Sequence, residues 1–293
     1  MLEQRVTPKQ VAQAINVSES SLKRWCDRGL VKTIRTPGGH RRLDLPDVVE
    51  FLRKSGREIV RPALLGLPSV TGGGARPLNR ARHELRDALL EGEAERCRRA
   101  VFDLHLAGRS VGSICDEVMA GAMHDIGDQW ACGAAEIYQE RRASMLCLRL
   151  LSELGLATPA PDNLPLAVGG TPECDHYMIP TMMAEIVLRQ QGWQAQSLGS
   201  RLPFATLAAA IRDVRPQLFW LSVSHIDDEE RFLSDYRAFY QAIRDEVPVI
   251  VGGRALSDPI RRQMQYTAFG DNMQHLEAFA RSLIAQNRSS EKT

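Results

Sequence analysis

Apolar positions recur along this chain with two different periods, and the places where the period changes mark its parts. After Thr7-Pro8, a capping residue followed by proline in the first turn, Val11, Ala12 and Ile15 repeat at helical spacing. The turn Asn16-Val17-Ser18 leads into a second helix with Leu22 and Trp25 inward, and Ser20, Ser21, Lys23, Arg24 and Arg28 outward. Gly29 ends it. Leu30 to Ile34 and Arg41 to Leu43 read as two short strands around Pro37-Gly38-Gly39, and Pro46 opens a third helix to about Lys54.

The helical period returns at 80–91, 93–107, 110–128 and 136–155 on short connections, which predicts a four-helix bundle. Beyond Leu166 it changes again. Apolar strands at Leu166 to Gly169, Gln194 to Leu198, Leu218 to Val223 and Val247 to Val251 alternate with amphipathic helices, the βαβ signature of a parallel sheet. Such a sheet binds ligands beyond the carboxyl ends of its strands, here the loops 170–180, 199–203, 222–227 and 252–256. Neither a G-x-G-x-x-G fingerprint nor a P-loop is present, so nothing points to dinucleotide or nucleoside triphosphate binding.

The proline- and glycine-rich stretch 57–79 and the proline-rich stretch 159–165 read as linkers. The expected division is a head at 1–56, a bundle at 80–158, an α/β domain at 166–288 and a tail at 289–293. The fold class is multidomain α and α/β: a winged helix-turn-helix, a four-helix bundle and a flavodoxin-like (Rossmann-like) parallel sheet.

Charge sharpens the picture of the head. The whole chain carries a net charge of only +1, but residues 1–56 hold 11 Lys/Arg against 6 Asp/Glu, and residues 57–293 hold 26 against 30. A basic helix-turn-helix with a basic wing suits a phosphate backbone, because cationic side chains release condensed counterions. No apolar run reaches the length that spans a bilayer and no secretory segment opens the chain, so a cytoplasmic protein with no membrane association is expected. The six cysteines form no Cys-x-x-Cys pair, which argues against a disulfide framework or structural zinc. Met119, Met123, Met145, Met182 and Met183 read as packing residues, and His105, His124 and His225 as isolated.

The stretches Val6-Thr-Pro-Lys-Gln-Val-Ala12, Ser21-Leu-Lys-Arg-Trp-Cys-Asp-Arg-Gly-Leu30 and Thr36-Pro-Gly-Gly-His-Arg-Arg-Leu43 resemble the winged helix-turn-helix of the MerR family. That resemblance implies a second helix in the major groove of double-stranded operator DNA and a wing on the flanking backbone, in a homo-oligomer. By position Ser20, Ser21, Lys23 and Arg24 would approach DNA, Arg28 a phosphate, and Arg35, His40, Arg41 and Arg42 would make the wing contacts.

Together with the bundle and the α/β domain, the chain resembles the cobalamin-binding photoreceptor regulators of the CarH and LitR type. The supporting residues are His124-Asp-Ile-Gly-Asp-Gln-Trp130, Glu140, Ser222-Val-Ser224 and Val251-Gly-Gly-Arg254. The resemblance implies adenosylcobalamin with its upper face under the bundle, near Trp130, Glu140 and Arg141, and its nucleotide tail near Ser222, Ser224, Gly252 and Gly253. Two signatures are altered. The upper-face pattern of tryptophan, nine residues, glutamate and histidine reads Trp130, Glu140 and Arg141, and Ala131 follows the tryptophan. The lower-face pattern Asp/Glu-x-His-x-x-Gly reads Asp175-His176-Tyr177-Met178-Ile179-Pro180, with tyrosine at the ligand position; a one-residue shift offers His176 but puts Cys174 at the acid.

A phenol is a poorer neutral donor to cobalt than an imidazole, so ordinary cobalamin ligation is expected to be weakened or lost, with His176 or Tyr177 as the metal-facing residue. The expected function is a DNA-binding repressor, not an enzyme, in which a B12-type sensor module controls oligomeric state, dimer or tetramer, and DNA affinity. Alternatives are a regulator that reads haem, a bilin or another tetrapyrrole through Cys174 to Tyr177, operation with no cofactor, and, least favoured, a cobalamin-dependent enzyme or methyl carrier.

Overall fold

The computed structural model describes residues 5–67 except 37, 56 and 58, residues 78–158, and residues 164–290. The turn residue Pro37, residues 58 and 68–77 of the first expected linker, 159–163 of the second and 291–293 of the tail lie outside them. The chain divides into two compact units, one of residues 1–110 and 117–159, the other of residues 111–116 and 160–293.

In the head, Thr7 caps helix α1 (Pro8–Ala14) in a reciprocal capping box with Gln10, and the Ser18 side chain accepts from the Ser21 backbone at the start of α2 (Glu19–Asp27). Strand β2 (Ile34–Arg35) pairs antiparallel with β3 (Arg41–Asp44), which leads into α3 (Leu45–Ser55). The first wing strand is shorter than expected: Leu30 is exposed, and pairing begins only at Ile34. A two-residue strand, β1 (Arg5–Val6), pairs on the other side of β3. Val11, Leu22, Leu43, Val48 and Leu52 close the small core.

Trp25 is half-buried, 5.5 Å from the ring of Phe51 with the Arg57 guanidinium 4.4 Å above it. Beyond Arg57 the chain does not leave the head at once. Val60 and Arg61 donate backbone hydrogen bonds to the Ala14 carbonyl, and a 3₁₀ turn (Pro62–Leu65) buries Leu65, with Leu67 buried just after it. Proline and glycine around these two leucines hide them from a composition-based reading of this stretch as linker.

Four helices of the first unit form the bundle: α4 (Leu78–Glu91), α5 (Ala94–Leu106), α7 (Gly121–Ala131) and α8 (Ile137–Leu156). The continuous helix expected at 110–128 is instead a short α6 (Val111–Ser113), a π-helical stretch (Ile114–Ala120) and α7. Hydrophobic period alone does not separate a wider helical turn from an ordinary one. Arg82 pairs through both nitrogens of its fork with Asp125 and ties α4 to α7. The Cys97 and Cys147 thiols are packing groups, pushed up to about 12 by burial.

In the second unit the parallel sheet has the order β5-β4-β6-β7-β8, formed by β4 (Leu166–Gly170), β5 (Gln194–Ser197), β6 (Leu218–Ser222), β7 (Val249–Gly252) and β8 (Ala268–Gly270). This is the flavodoxin-like order, and its direction reverses between β4 and β6. Four strands fall where the apolar runs place them; β8, only three residues long, escapes that reading. Helices α10 (Phe204–Val214) and α11 (Glu229–Ile243) pack against the core of Phe204, Phe219, Phe232, Tyr236 and Phe239.

Helices α9 (Met178–Gln190) and α13 (Met273–Ser290) pack on one another, and the short α12 (Asp258–Arg261) lies between β7 and β8 in the chain. The segment Val111–Asp116 belongs here: the Val111 amide donates to Gln190 Oε1 at 2.8 Å, and the Asp116 carboxylate accepts from the first two amides of α13, Met273 and Gln274, at 2.8 and 3.0 Å. An acidic cap on that end satisfies otherwise free N–H groups and opposes the helix dipole.

Candidate functional site

The basic surface of the head is built on α2 and the wing. Ser20, Lys23, Arg24, Arg28, Arg35 and His40 are exposed, and Ser21, Arg41 and Arg42 are partly so. Ser21 is drawn into the capping cluster, its hydroxyl 2.8 Å from Ser18 Oγ and 3.3 Å from Arg24 Nη2. Arg41 differs from its neighbours. Its Nη2 lies 2.6 Å from Asp27 Oδ1 and its Nη1 donates to the Lys23 carbonyl at 3.4 Å, so it fastens the wing to the end of α2. Lys23, Arg24 and Arg28 on or at the end of α2 and Arg35 on the wing remain exposed, cations that can meet a phosphate backbone.

In the bundle, Trp130 at the end of α7 is 51% exposed, and Ile137 and Tyr138 at the start of α8 are exposed as well. Glu140 is half-buried, accepts from Ser144 Oγ at 3.2 Å and lies 3.6 Å from Arg141 Nε. Three large exposed apolar side chains at the end of α7 and the start of α8 are not part of a packed core. Met145 is likewise exposed, unlike the buried Met119 and Met183.

At the carboxyl edge of the sheet, Asp175 is fully buried. Its carboxylate accepts from the backbone N–H groups of Tyr177, at 2.8 Å, and of Ser224, joining the loops that follow β4 and β6 across the reversal point. Burial raises its pKa above the ordinary carboxylate range, and these hydrogen bonds oppose the rise. The Thr171 hydroxyl donates to the Asp175 carbonyl at 2.7 Å and accepts from the Arg201 amide, which brings in the loop after β5.

Above this buried clasp stand exposed rings. His176 and Tyr177 stack at 4.3 Å, the Arg254 guanidinium lies 5.0 Å from the Tyr177 ring centre, and the His225 ring lies 6.0 Å from that of His176. His225 Nε2 is 2.7 Å from Asp227 Oδ1, and its carbonyl accepts from Cys174 Sγ at 3.4 Å. His225 is therefore not isolated, as spacing alone suggests. One partner, Asp227, is two residues away, while His176 and Cys174 come from a loop about fifty residues away, a relation that no local pattern carries. Cys174 also lines a cleft of about 710 Å³, with Glu173, Arg201, Phe204, Asp227 and Arg231.

Ser222 and Ser224 are buried, and Gly252 and Gly253 are half-buried. Gly253 has φ +115°, and a Cβ there would lie 2.2 Å from the Val223 carbonyl oxygen, so the glycine is required by two loops in contact. On the same face of β6 as Ser222, two residues away, the Trp220 indole is buried over Gly169 and donates to Thr181 Oγ1 at 3.0 Å. The donors at this edge, two imidazoles and a phenol on neighbouring loops, have the chemistry to meet a metal at the centre of a planar ring. Among the described residues no group of three or more His, Cys, Asp or Glu side chains could hold a bare metal ion.

Residues 6–56 match the helix-turn-helix domain family, and residues 81–154 match the B12 binding domain family. Two curated relatives come from Myxococcus xanthus. The HTH-type transcriptional repressor CarH is 30% identical over 155 residues, 53% of this chain and 52% of that protein. The HTH-type transcriptional repressor CarA is 25% identical over 251 residues, 83% of this chain and 84% of that protein. The chain thus matches about half the length of the first relative. Among solved structures, the monomethylamine corrinoid protein of Methanosarcina barkeri covers 71% of this chain and all of its own length, with a TM-score of 0.57 at 16% identity, a likeness of fold. No helix among the described residues is long and apolar enough to cross a membrane. The chain thus carries a helix-turn-helix domain and a B12 binding domain, and is similar in sequence to the repressors CarH and CarA.

Proposed function

We propose that this protein is a cytoplasmic, homo-oligomeric transcriptional repressor, not an enzyme, that holds double-stranded operator DNA with α2 and its wing and is governed by a B12-type sensor module. The observation that carries the reading is the basic helix-turn-helix head on the same chain as a B12-binding-type module. The coupling is linkage: a ligand that binds one assembly more tightly than another shifts the population toward it, by no more than the difference in affinity. A bound corrinoid would supply a cobalt centre. The imidazoles of His176 and His225 at the carboxyl edge of the sheet would hold it, and Trp130, Glu140 and Arg141 are the bundle residues that the resemblance assigns to it. Because Asp175 is turned onto backbone amides and the ungapped register puts Tyr177 at the ligand position, ligation of the metal would differ from that in the regulators the chain resembles.

Protein mixed with adenosylcobalamin in darkness and desalted retains a corrinoid spectrum on this reading, and the corrinoid changes both its oligomeric mass and its affinity for a DNA duplex. A colourless protein whose DNA affinity ignores corrinoid sinks it. The mixed donor set of His176, Tyr177 and Cys174 supports a second reading, a regulator of haem or another tetrapyrrole. A stable haem spectrum lost in Tyr177→Phe or His176→Ala, with no corrinoid retained, would favour that one.

A further inference from the structure

The loop after β4 offers no oriented ligand. A metal-ligating histidine ordinarily donates its second ring N–H to a carboxylate or carbonyl, which fixes the tautomer and makes the ligating nitrogen more basic. Asp175 does not fill that role, since its carboxylate is buried against the amides of Tyr177 and Ser224. Tyr177 lies flat against His176, with Arg254 near its ring.

The required pair exists one loop away. His225 Nε2 and Asp227 Oδ1 are 2.7 Å apart, and in the neutral tautomer that donates to this carboxylate Nδ1 carries the lone pair. Two other histidine–carboxylate pairs among the described residues are looser, 3.7 Å for His124 and Asp128 and 3.6 Å for His275 and Asp271. His225 is partly exposed, stands 6.0 Å from His176, and sits at the reversal point of the sheet, where ligands of this fold class collect.

Resting on the corrinoid reading above, we infer that His225, oriented by Asp227, is the protein nitrogen that ligates the metal of a planar macrocycle bound at this edge. The ligating imidazole has thereby moved from the loop after β4 to the loop after β6. His176 and Tyr177 form the aromatic wall beside the ring and not its ligands.

The test uses the full-length protein and cobinamide reduced to cobalt(II), a corrinoid without a base of its own, so any nitrogen coupling comes from the protein. After desalting, the paramagnetic resonance spectrum of the wild type should show a three-line splitting from one axial nitrogen, reduced to two lines in protein labelled with ¹⁵N-histidine. The splitting should vanish in His225→Ala, whose circular dichroism should match the wild type, and persist in His176→Ala and Tyr177→Phe. Asp227→Asn keeps the imidazole and should retain the splitting with about tenfold weaker binding, within the range for loss of such an orienting partner. Retained corrinoid without splitting, splitting insensitive to the histidine label, or splitting that survives in His225→Ala overturns the inference and leaves the corrinoid reading standing. Failure to retain any corrinoid removes both.

Discussion

The guanidinium of Arg41 and the carboxylate of Asp27, 2.6 Å apart, join the second strand of the wing to the last turn of α2. Two elements that would face different parts of a duplex are thus held at one angle. Arg41→Ala should weaken binding to a duplex of arbitrary sequence by about fivefold, the equivalent of about 1 kcal/mol for a partly exposed pair. A residue that only sets geometry should leave the salt dependence of binding unchanged. Fluorescence anisotropy across a salt series reads both quantities, and a shallower slope would mean that Arg41 touches phosphate itself.

Arg35 provides the contrasting case, because it is exposed on the first strand of the wing. Arg35→Ala should lower the slope of log affinity against log salt by about one, uniformly across sequences. An unchanged slope would place the wing tip away from DNA.

Asp125 and Arg82 predict an acid-sensitive term in the bundle. The Arg82 hydrogen bond holds the Asp125 carboxyl below its ordinary value of 3.8, against a smaller opposing effect of burial. A lowered folded-state pKa adds stability above the unfolded value, and that stability is lost as pH falls through the folded value. Asp125→Asn should therefore cost about 1 kcal/mol in urea unfolding at pH 7, and the gap from wild type should close as pH falls below 3.8. A gap independent of pH would show that the loss is one of packing.

Gly253 and Gly199 both have positive φ, at +115° and +94°, but their surroundings differ. A Cβ at Gly253 meets the Val223 backbone at 2.2 Å, and one at Gly199 meets nothing within 4 Å. Gly253→Ala should cost about 3 kcal/mol or more, since neither backbone can retreat, and Gly199→Ala about 1 kcal/mol from conformation alone. Thermal unfolding separates them; equal losses would mean that the loops after β6 and β7 are not in firm contact.

Asp175 should behave as a clasp. Asp175→Ala leaves the Tyr177 and Ser224 amides without their acceptor, so their hydrogen-exchange protection should fall by about thirtyfold, the equivalent of about 2 kcal/mol for unmade buried hydrogen bonds. Unaltered protection would assign the joining of the two loops to other contacts.

The elements that sequence exposes are those whose cause is local. Thr7, Pro8 and Ser18 announce helix starts because capping acts within three residues, and the apolar runs at β4, β6 and β7 announce buried parallel strands because both faces are covered. The short strands β1 and β8 and the wide turns of 114–120 carry too little pattern to stand out. The ring cluster fails for a different reason. His225 meets His176 and Cys174 only because two strands separated by a crossover end side by side, a fact of topology and not of spacing.

The carboxylate of Asp116 that closes the start of α13 has a consequence for how this protein can be cut or recombined. A fragment beginning after residue 159 would carry the whole sheet yet lack Asp116 and the Val111 amide that meets Gln190. Its boundary in space is not its boundary in sequence. A graft of this module onto another head transfers intact only if the crossover falls before Val111, so α6 and the α/β unit are inherited as one piece.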